Sequence, residues 1–215
     1  MLTLDNVRDF AVEQFSRTIG LNYPEPVFLV GGAFKTILHE KAPRDMDFFV
    51  PGDENRTKLI SHLIKRGAKH DHSRPFGDLF TMDNLKIDVP LKTSPFTLEE
   101  RLARCDLGLS AIGAEMIAGN VRSLISPWAW YSARRRKIFI IKPLVNKDYC
   151  LSTLSRAMRY ADELEWAVPA EDEDFVWRFF QSLRLEGKIK AVERYRKSVL
   201  VNPQILRKAK CLCHR

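Results

Sequence analysis

The pattern of hydrophobic and polar positions changes near the middle of the chain. In the first half, apolar residues at helical spacing predict helices over residues 2–19, 33–40, 55–66 and 97–104. Short apolar or alternating runs predict strands over 27–30 and 45–50 and a hairpin over 76–91 that turns at Asp83-Asn84. The polar stretch that contains His70 and His72 is predicted to be a solvated loop.

The second half is predominantly helical. Residues 108–125 fit either a helix or strands, and residues 137–141 (KIFII) predict a last short strand. Helices are then predicted over 149–166, 171–185, 188–199 and 203–212. Because the strands precede the run of helices, the sequence predicts an α+β fold with two domains, 1–141 and 142–215.

Composition restricts the class of protein. The chain has 215 residues, of which 45% are hydrophobic and 29% charged, so it can bury a sizeable core and is neither disordered nor collagen-like. It contains no apolar run of membrane-spanning length and does not begin like a secretory signal, so no membrane partner is expected. Its four cysteines are too scattered for a disulfide framework, which favours the reducing cytoplasm.

The net charge of +8 is unevenly distributed. Residues 1–130 hold 16 basic and 17 acidic residues, whereas residues 131–215 hold 19 basic and 10 acidic residues. This asymmetry indicates a polyanionic partner for the second part, although a solvated basic surface explains the charge equally well.

Candidate chemistry concentrates between residues 28 and 50. Asp45 and Asp47 lie two apart on a predicted strand, so their side chains share one face. Two adjacent carboxylates repel unless a cation lies between them, and oxygen ligands suit a hard ion such as Mg²⁺. Gly31-Gly32 lets the backbone approach a phosphate closely. Asp88 interrupts the apolar pattern of a neighbouring strand, as an inward-pointing ligand would.

The order of these segments resembles the head domain and neck of poly(A) polymerases and CCA-adding tRNA nucleotidyltransferases, members of the polymerase-β-like superfamily. The family's V-G-G-x-V-R-D motif is similar to Val30–Thr36, and its D-x-D motif is matched by Asp45–Asp47. Further similarities are R-R-D-x-x-x-N-A with Arg104–Ala111, L-I-D-P with Leu124–Pro127, and L-R-A-I-R-F with Ser155–Tyr160. The resemblance covers residues 26–166 and implies a mixed sheet with helices followed by a helical neck.

The resemblance implies metal-dependent transfer of a nucleotide from an NTP to a hydroxyl group, most plausibly on RNA or tRNA. Asp45, Asp47 and Asp88 would bind Mg²⁺ or Mn²⁺, with Asp88 placed to activate the hydroxyl. Two ions would lower the pKa of that hydroxyl and stabilise the pyrophosphate leaving group. The implied nucleotide-binding residues are Gly31, Gly32, Lys35, Arg104, Asp106, Arg156 and Arg159.

Some positions depart from the family pattern. Lys35 replaces an arginine, which keeps the charge but loses the bidentate fork. Cys105 and Ser110 replace an arginine and an asparagine of the R-R-D-x-x-x-N-A motif. The neck motif E-D-x-x-R, with which the family reads the incoming base, has Cys150 and Thr153 at its aspartate and arginine positions. The resemblance therefore predicts the transfer chemistry without the family's choice of bases.

Arg134, Arg135 and Arg136 follow three aromatic residues, a combination typical of RNA-binding surfaces. The alternative is a helix that buries its aromatic rings and exposes its basic residues. A short chain of this class is expected to grip a tRNA weakly, so a protein partner that supplies acceptor binding is a further expectation. Two other functions stay open: a non-catalytic relative that binds RNA or a protein, and a toxin-like nucleotidyltransferase.

Overall fold

A computed structural model describes residues 2–39, 42–74, 76–198 and 201–213. The chain divides into two compact units, the first comprising Met1–Cys105 and Leu109–Trp130 and the second Asp106–Gly108 and Tyr131–Arg215. The domain boundary after residue 141 stays a prediction. None of the helices in the described ranges is long and apolar enough to cross a membrane. All four cysteines lie within these ranges, and each has a free thiol.

The first unit is built on a sheet of seven strands. These are β1 (Val27–Val30), β2 (Asp45–Phe49), β3 (Lys69–Arg74), β4 (Gly77–Met82), β5 (Leu85–Pro90), β6 (Ile112–Ile117) and β7 (Asn120–Ile125). Their order in the sheet is β3-β4-β5-β2-β1-β6-β7. The pair β2–β5 is parallel and the other pairs are antiparallel. The α+β fold with a mixed sheet is therefore confirmed.

One face of this sheet is covered by two amphipathic helices, α1 (Leu4–Thr18) and α2 (Asp53–Lys65). The alternation along β2 directs Met46 and Phe48 to this face, where both are fully buried. The ring of Phe48 lies 5.8 Å from that of Phe15 on α1. This packing buries the core of the first unit and leaves the alternate residues of β2 on the opposite face.

The opposite face is covered over β1 and β6 by the short helix α3 (Leu98–Leu102). Leu98 and Leu102 pack against Phe28 and Val30 of β1. A methyl group at Gly113 would come within 2.7 Å of the Leu98 side chain, so this glycine lets α3 approach the sheet closely. Helix α3 packs over β1 and β6 on the face to which β2 and β5 direct their polar side chains.

The second unit consists mainly of helices. Helix α4 (Pro127–Arg135) begins among the residues of the first unit, and it is followed by α5 (Cys150–Leu164), α6 (Ala170–Ser182), α7 (Leu185–Arg196) and α8 (Pro203–Cys213). This unit also contains a short 3₁₀ helix at Lys147–Tyr149, and two others occur at Gly32–Leu38 in the first unit and at Gly108–Ser110. The buried carboxylate of Asp172 on α6 accepts a hydrogen bond from the Ile140 N–H at 2.8 Å and pairs with the Lys142 ammonium at 2.5 Å.

Two local predictions are wrong, and one ambiguous stretch is resolved. Residues 137–141 form no strand of the sheet, because the N–H groups of Ile138, Ile140 and Ile141 donate to Ala167, Asp172 and Asp106. The stretch around His70 is the edge strand β3, where His70 contacts Asp78 at 3.1 Å. Residues 108–125, which fitted either element, form the hairpin β6–β7 after a 3₁₀ turn.

Candidate functional site

Three carboxylates share the open face of the sheet in the first unit. Asp45 and Asp47 alternate with buried residues along β2, as the sequence predicts. The parallel pairing of β2 with β5 places Asp88 directly beside Asp47 in register. Because paired residues of adjacent strands direct their side chains to the same face, all three carboxylates lie on one side of the sheet. We call this the acid face, defined by Asp45, Asp47 and Asp88.

Two cations at the acid face were not predicted from the sequence. The Arg44 guanidinium donates to Asp45 Oδ2 from Nη2 at 2.9 Å and from Nε at 3.3 Å. Lys86 is exposed and pairs in register with Asp45, so it lies on the same face as Asp88, two residues further along β5. The alternation of β5 could have predicted this position of Lys86 from the sequence, since residues 86 and 88 of a strand direct their side chains to the same face.

The glycine segment lies against the second of these carboxylates. Gly31 has a φ of 96°, which strongly favours glycine, and a methyl group there would lie 3.8 Å from Asp47 Oδ2. The structure therefore brings the two motifs of the sequence together. Gly31 itself donates its N–H to the Ile112 carbonyl at 3.0 Å, so its N–H is not directed at a ligand. The N–H groups of Gly32 and Ala33 come next and open the 3₁₀ helix Gly32–Leu38, and the expectation that Gly31-Gly32 cradles a phosphate stays a prediction.

Asp88 is bordered by a glycine on its other side. A methyl group at Gly77 on β4 would lie 2.8 Å from Asp88 Oδ1 and 2.7 Å from the Val89 carbonyl oxygen. A side chain at position 77 would thus collide with the carboxylate. Gly77 keeps the space that the Asp88 side chain occupies.

The acid face supplies suitable donors for a hard divalent cation, because its three ligand residues are carboxylates paired in register or alternating on one strand. Asp45 is hydrogen-bonded to Arg44, and Asp88 Oδ1 lies toward Gly77. Within the described residues, no group of three acidic, histidine or cysteine side chains converges as a metal site does. The three carboxylates are thus chemically suitable ligands for a divalent cation, but their side chains do not converge on one point in this structure.

A buried arginine that the sequence did not single out lies beside Phe49, the next residue of β2 on this face. Arg101 on α3 is only 7% exposed, its guanidinium carbon is 4.1 Å from the centre of the Phe49 ring, and its Nη2 donates to the Ser94 carbonyl at 2.7 Å. Burial lowers the pKa of Arg101 to about 10, and the nearby charge of Arg104 acts in the same direction. These contacts fix the segment after β5 against α3.

The remaining candidate nucleotide-binding residues lie at several places. In the first unit, Lys35 is half-buried on the 3₁₀ helix Gly32–Leu38, and Arg104 is exposed just after α3. In the second unit, Asp106 Oδ2 accepts hydrogen bonds from the Thr153 hydroxyl and the Arg156 guanidinium. Arg159 pairs with Glu163 one turn further along α5, at 3.5 Å.

The two positions that differ from the base-reading motif are both interior. Cys150 is fully buried, and burial raises the pKa of its thiol to about 11. Thr153 is 1% exposed, and its hydroxyl donates a hydrogen bond to the Asp106 carboxylate. Neither side chain is presented to a ligand, so no base-reading pair exists at these positions.

Arg134, Arg135 and Arg136 are exposed at the end of α4. The expectation of buried aromatic rings before them is wrong, because Trp128, Trp130 and Tyr131 are 45%, 42% and 43% exposed. Within the second unit, Tyr131 packs on Phe139 with ring centres 4.6 Å apart, and the Arg135 guanidinium carbon is 5.6 Å from the Tyr131 ring. This end of α4 thus combines exposed basic groups with an accessible ring.

Comparisons with known proteins find similarity in three-dimensional structure and none in sequence families or curated proteins. No model of a protein family matches the chain, and a search of curated proteins finds no match. Among solved structures, a CCA-adding enzyme complexed with CTP superposes with a TM-score of 0.60 at 16% identity over 98% of this chain and 53% of its own. A Thermotoga maritima CCA-adding enzyme complexed with tRNA gives a TM-score of 0.54 at 16% identity, over 98% and 50%.

A tRNA nucleotidyltransferase complexed with a primer tRNA and an incoming ATP analogue gives a TM-score of 0.54 at 20% identity, over 94% of this chain and 61% of its own. The chain thus spans between 50% and 65% of the length of the solved structures that it matches. Over nearly its whole length it has the fold of the corresponding part of CCA-adding tRNA nucleotidyltransferases, which confirms the fold that the motif resemblance implied.

Proposed function

We propose that this protein is a metal-dependent nucleotidyltransferase that moves a nucleotide from an NTP to a hydroxyl group of an RNA, such as a tRNA. The observation that carries the proposal is the acid face, on which Asp88 stands in register beside Asp47 and the positive-φ glycine Gly31 borders the Asp47 carboxylate. This arrangement occurs on the fold of enzymes whose solved structures hold CTP, an ATP analogue or tRNA.

Asp45, Asp47 and Asp88 would hold Mg²⁺ or Mn²⁺, which when bound lowers the pKa of an attacking hydroxyl and stabilises charge on the leaving pyrophosphate. The hydroxyl oxygen attacks the α-phosphorus of the NTP, and the bond from that phosphorus to the pyrophosphate oxygen breaks. Asp88 accepts the proton of the hydroxyl. The pyrophosphate departs with the negative charge that it gains, which Lys86 beside Asp45 and Lys35 on the 3₁₀ helix would offset.

The Gly31-Gly32 turn would hold the triphosphate, with Gly32 and Ala33 supplying the N–H groups. In the second unit, Arg134, Arg135 and Arg136 would bind RNA phosphates. Asp106, Arg156 and Arg159 remain predicted nucleotide-binding residues, as does Arg104 in the first unit. The identity of the bases transferred would differ from that of CCA addition, because Cys150 and Thr153 are interior.

Incorporation of labelled nucleotide into RNA, with each NTP and Mg²⁺ or Mn²⁺, tests the proposal. Combined Asp45→Ala and Asp47→Ala substitution is expected to abolish incorporation. Combined Asp9→Ala and Glu13→Ala substitution removes the same charge from exposed positions of α1 and should leave incorporation intact. Absence of transfer with all four nucleotides would contradict the proposal.

A second function, a non-catalytic RNA-binding relative, is favoured by one observation: Arg44 pairs with Asp45 and thus supplies a cation in place of a metal. This function predicts RNA binding without NTP binding. A toxin-like nucleotidyltransferase would instead arrest growth on expression, and growth arrest that survives the double aspartate substitution would exclude that alternative.

A further inference from the structure

The parallel pairing of β2 with β5 ends at two carboxylates of the acid face. Its last pair joins Asp47 to Asp88, and no later residue of β2 pairs with β5. The end of a strand pair opens more readily than its interior, because fewer contacts hold it. The spacing between the Asp47 and Asp88 carboxylates therefore depends on what holds the two chain segments together beyond this last pair.

Two hydrogen bonds connect the segments that leave these strands. Because β2 and β5 run parallel, the chain leaves both of them at the same end of the pair. Gly52, which follows β2, donates its N–H to the Thr93 carbonyl at 3.1 Å. The hydroxyl of Thr93, which follows β5, donates to Asp53 Oδ1 at 2.6 Å. We call this connection the exit joint, defined by Gly52, Asp53 and Thr93.

Arg101 on α3 contacts both sides of the exit joint. Its Nη2 donates to the carbonyls on either side of Thr93, those of Lys92 at 3.3 Å and Ser94 at 2.7 Å. Its guanidinium carbon lies 4.1 Å from the centre of the ring of Phe49, the last residue of β2. One side chain thus binds the segment after β5 and packs on the end of β2.

The burial of Arg101 is costly. The residue is only 7% exposed, no carboxylate of the described residues pairs with it, and its Nε has no hydrogen-bond partner among them. A buried cation without a counter-ion destabilises a fold, and an apolar side chain would pack against the Phe49 ring at lower cost. An apolar side chain could not supply the two hydrogen bonds to the segment around Thr93, so these bonds are what the arginine adds.

Helix α3 is firmly attached to the rest of the sheet. Leu98 and Leu102 of this helix pack against β1. Glu99 pairs at 2.8 Å with Arg122 of β7, which pairs in turn with Glu115 of β6 at 2.8 Å. Arg101 therefore connects the exit joint to a helix that three other strands hold in place.

We propose that Arg101 is a positioning residue for the acid face: it holds the exit joint and thereby keeps the Asp47 and Asp88 carboxylates side by side for a divalent cation. The inference rests on the proposed function, since it concerns the support of the same metal ligands. Residues that support metal ligands without touching the metal commonly change its affinity about 10- to 100-fold when they are replaced. Arg101 acts through the two strands and not on the reacting atoms.

Arg101→Met in the full chain tests the proposal, because methionine still packs on the Phe49 ring and cannot donate to the two carbonyls. Hydrogen exchange should become faster at the Gly52 amide and over residues 86–94. The affinity for Mn²⁺, measured by electron paramagnetic resonance without NTP, should fall about tenfold. The sign separates position from charge, because removing a positive charge would by itself strengthen the binding of a cation.

Arg122→Met is the matched control, because Arg122 also holds α3, through Glu99, and takes no part in the exit joint. It should change neither the exchange at Gly52 nor the affinity for Mn²⁺. Thr93→Val is a milder variant that removes only the hydroxyl's hydrogen bond within the joint. It should shift both measurements in the same direction as Arg101→Met, and it decides the question if Arg101→Met does not fold.

Equal loss of Mn²⁺ affinity in Arg101→Met and Arg122→Met would overturn the proposal, since the loss would then come from α3 as a whole. Unchanged exchange in Arg101→Met would also overturn it, as would faster exchange with unchanged or tighter Mn²⁺ binding. Neither measurement needs NTP. Weaker Mn²⁺ binding by Arg101→Met, found beside a native chain that transfers no nucleotide, would support the role of Arg101 and contradict transfer alone. A native chain that binds no Mn²⁺ would overturn both.

Discussion

Asp47 and Asp88 stand side by side in register on β2 and β5, the two strands that run parallel within a sheet whose other pairs are antiparallel. The pairing brings together carboxylates that are 41 positions apart in the sequence. Two such groups on one face are costly unless positive charge lies nearby. Arg44 and Lys86 provide it in the structure, at the neighbouring position Asp45. The same requirement makes the acid face suitable for a divalent cation.

Replacing Asp88 with asparagine should abolish nucleotide transfer while the chain remains folded. The substitution keeps the shape of the side chain and removes the negative charge with which Asp88 would bind a divalent cation. Transfer is measured with labelled NTP, and stability by urea denaturation.

Asp78→Asn is the matched control, because Asp78 lies on β4 beside the strand of Asp88 and faces the helices instead. Its carboxylate accepts hydrogen bonds from Arg56 and, at 2.6 Å, from the Ser73 hydroxyl. Losing its charge leaves the largely buried Arg56 without an anion, so we expect a cost of about 1–3 kcal/mol in stability. If Asp88→Asn retained transfer, the role given to Asp88 would be wrong.

Asp78 also predicts how stability depends on pH. Burial alone would raise the pKa of Asp78, but hydrogen bonds from Ser73, Arg56 and His70 outweigh it and hold that pKa below its ordinary value. A carboxyl whose folded-state pKa is lowered stabilises the fold fully above its unfolded pKa of about 3.9, and this contribution disappears as the pH falls further. The difference in free energy of unfolding between the native chain and Asp78→Asn should therefore be large at pH 7 and shrink below pH 4. A difference that stays constant from pH 7 to pH 3 would contradict this account.

The thiol of Cys150 should resist alkylation in the folded protein. Burial raises its pKa to about 11, so at pH 8 it is protonated as well as inaccessible, and the thiolate is the reactive form. Iodoacetamide followed by mass spectrometry should find Cys211, which is exposed, modified long before Cys150. Modification of both at the same rate would show that the start of α5 opens readily, and that position 150 is accessible to a ligand after all.

Local features of the acid face could be predicted from the sequence, and its long-range features could not. The alternation of β2 alone places Asp45 and Asp47 together, whereas the neighbourhood of Asp88 depends on which strand pairs with β5. The sequence did not predict strand β3, because its residues are all polar and lack the apolar-polar alternation that marks a half-buried strand. The apolar run 137–141 predicted a strand that does not form. Its apolar pattern reflects burial alone, since Ile138 and Ile140 are buried without belonging to the sheet.

Lys86 provides the last prediction. It is exposed, lies in register beside Asp45, and has no hydrogen-bonding or ion-pair partner among the described residues. If the triphosphate lies over the acid face, the Lys86 ammonium attracts its phosphates, so Lys86→Gln should raise the KM for NTP about tenfold and lower kcat less. Lys65→Gln removes an equally exposed charge from the end of α2 and should change neither constant. Steady-state kinetics on both variants measures KM and kcat for NTP. An unchanged KM in Lys86→Gln would mean that the triphosphate binds away from Lys86.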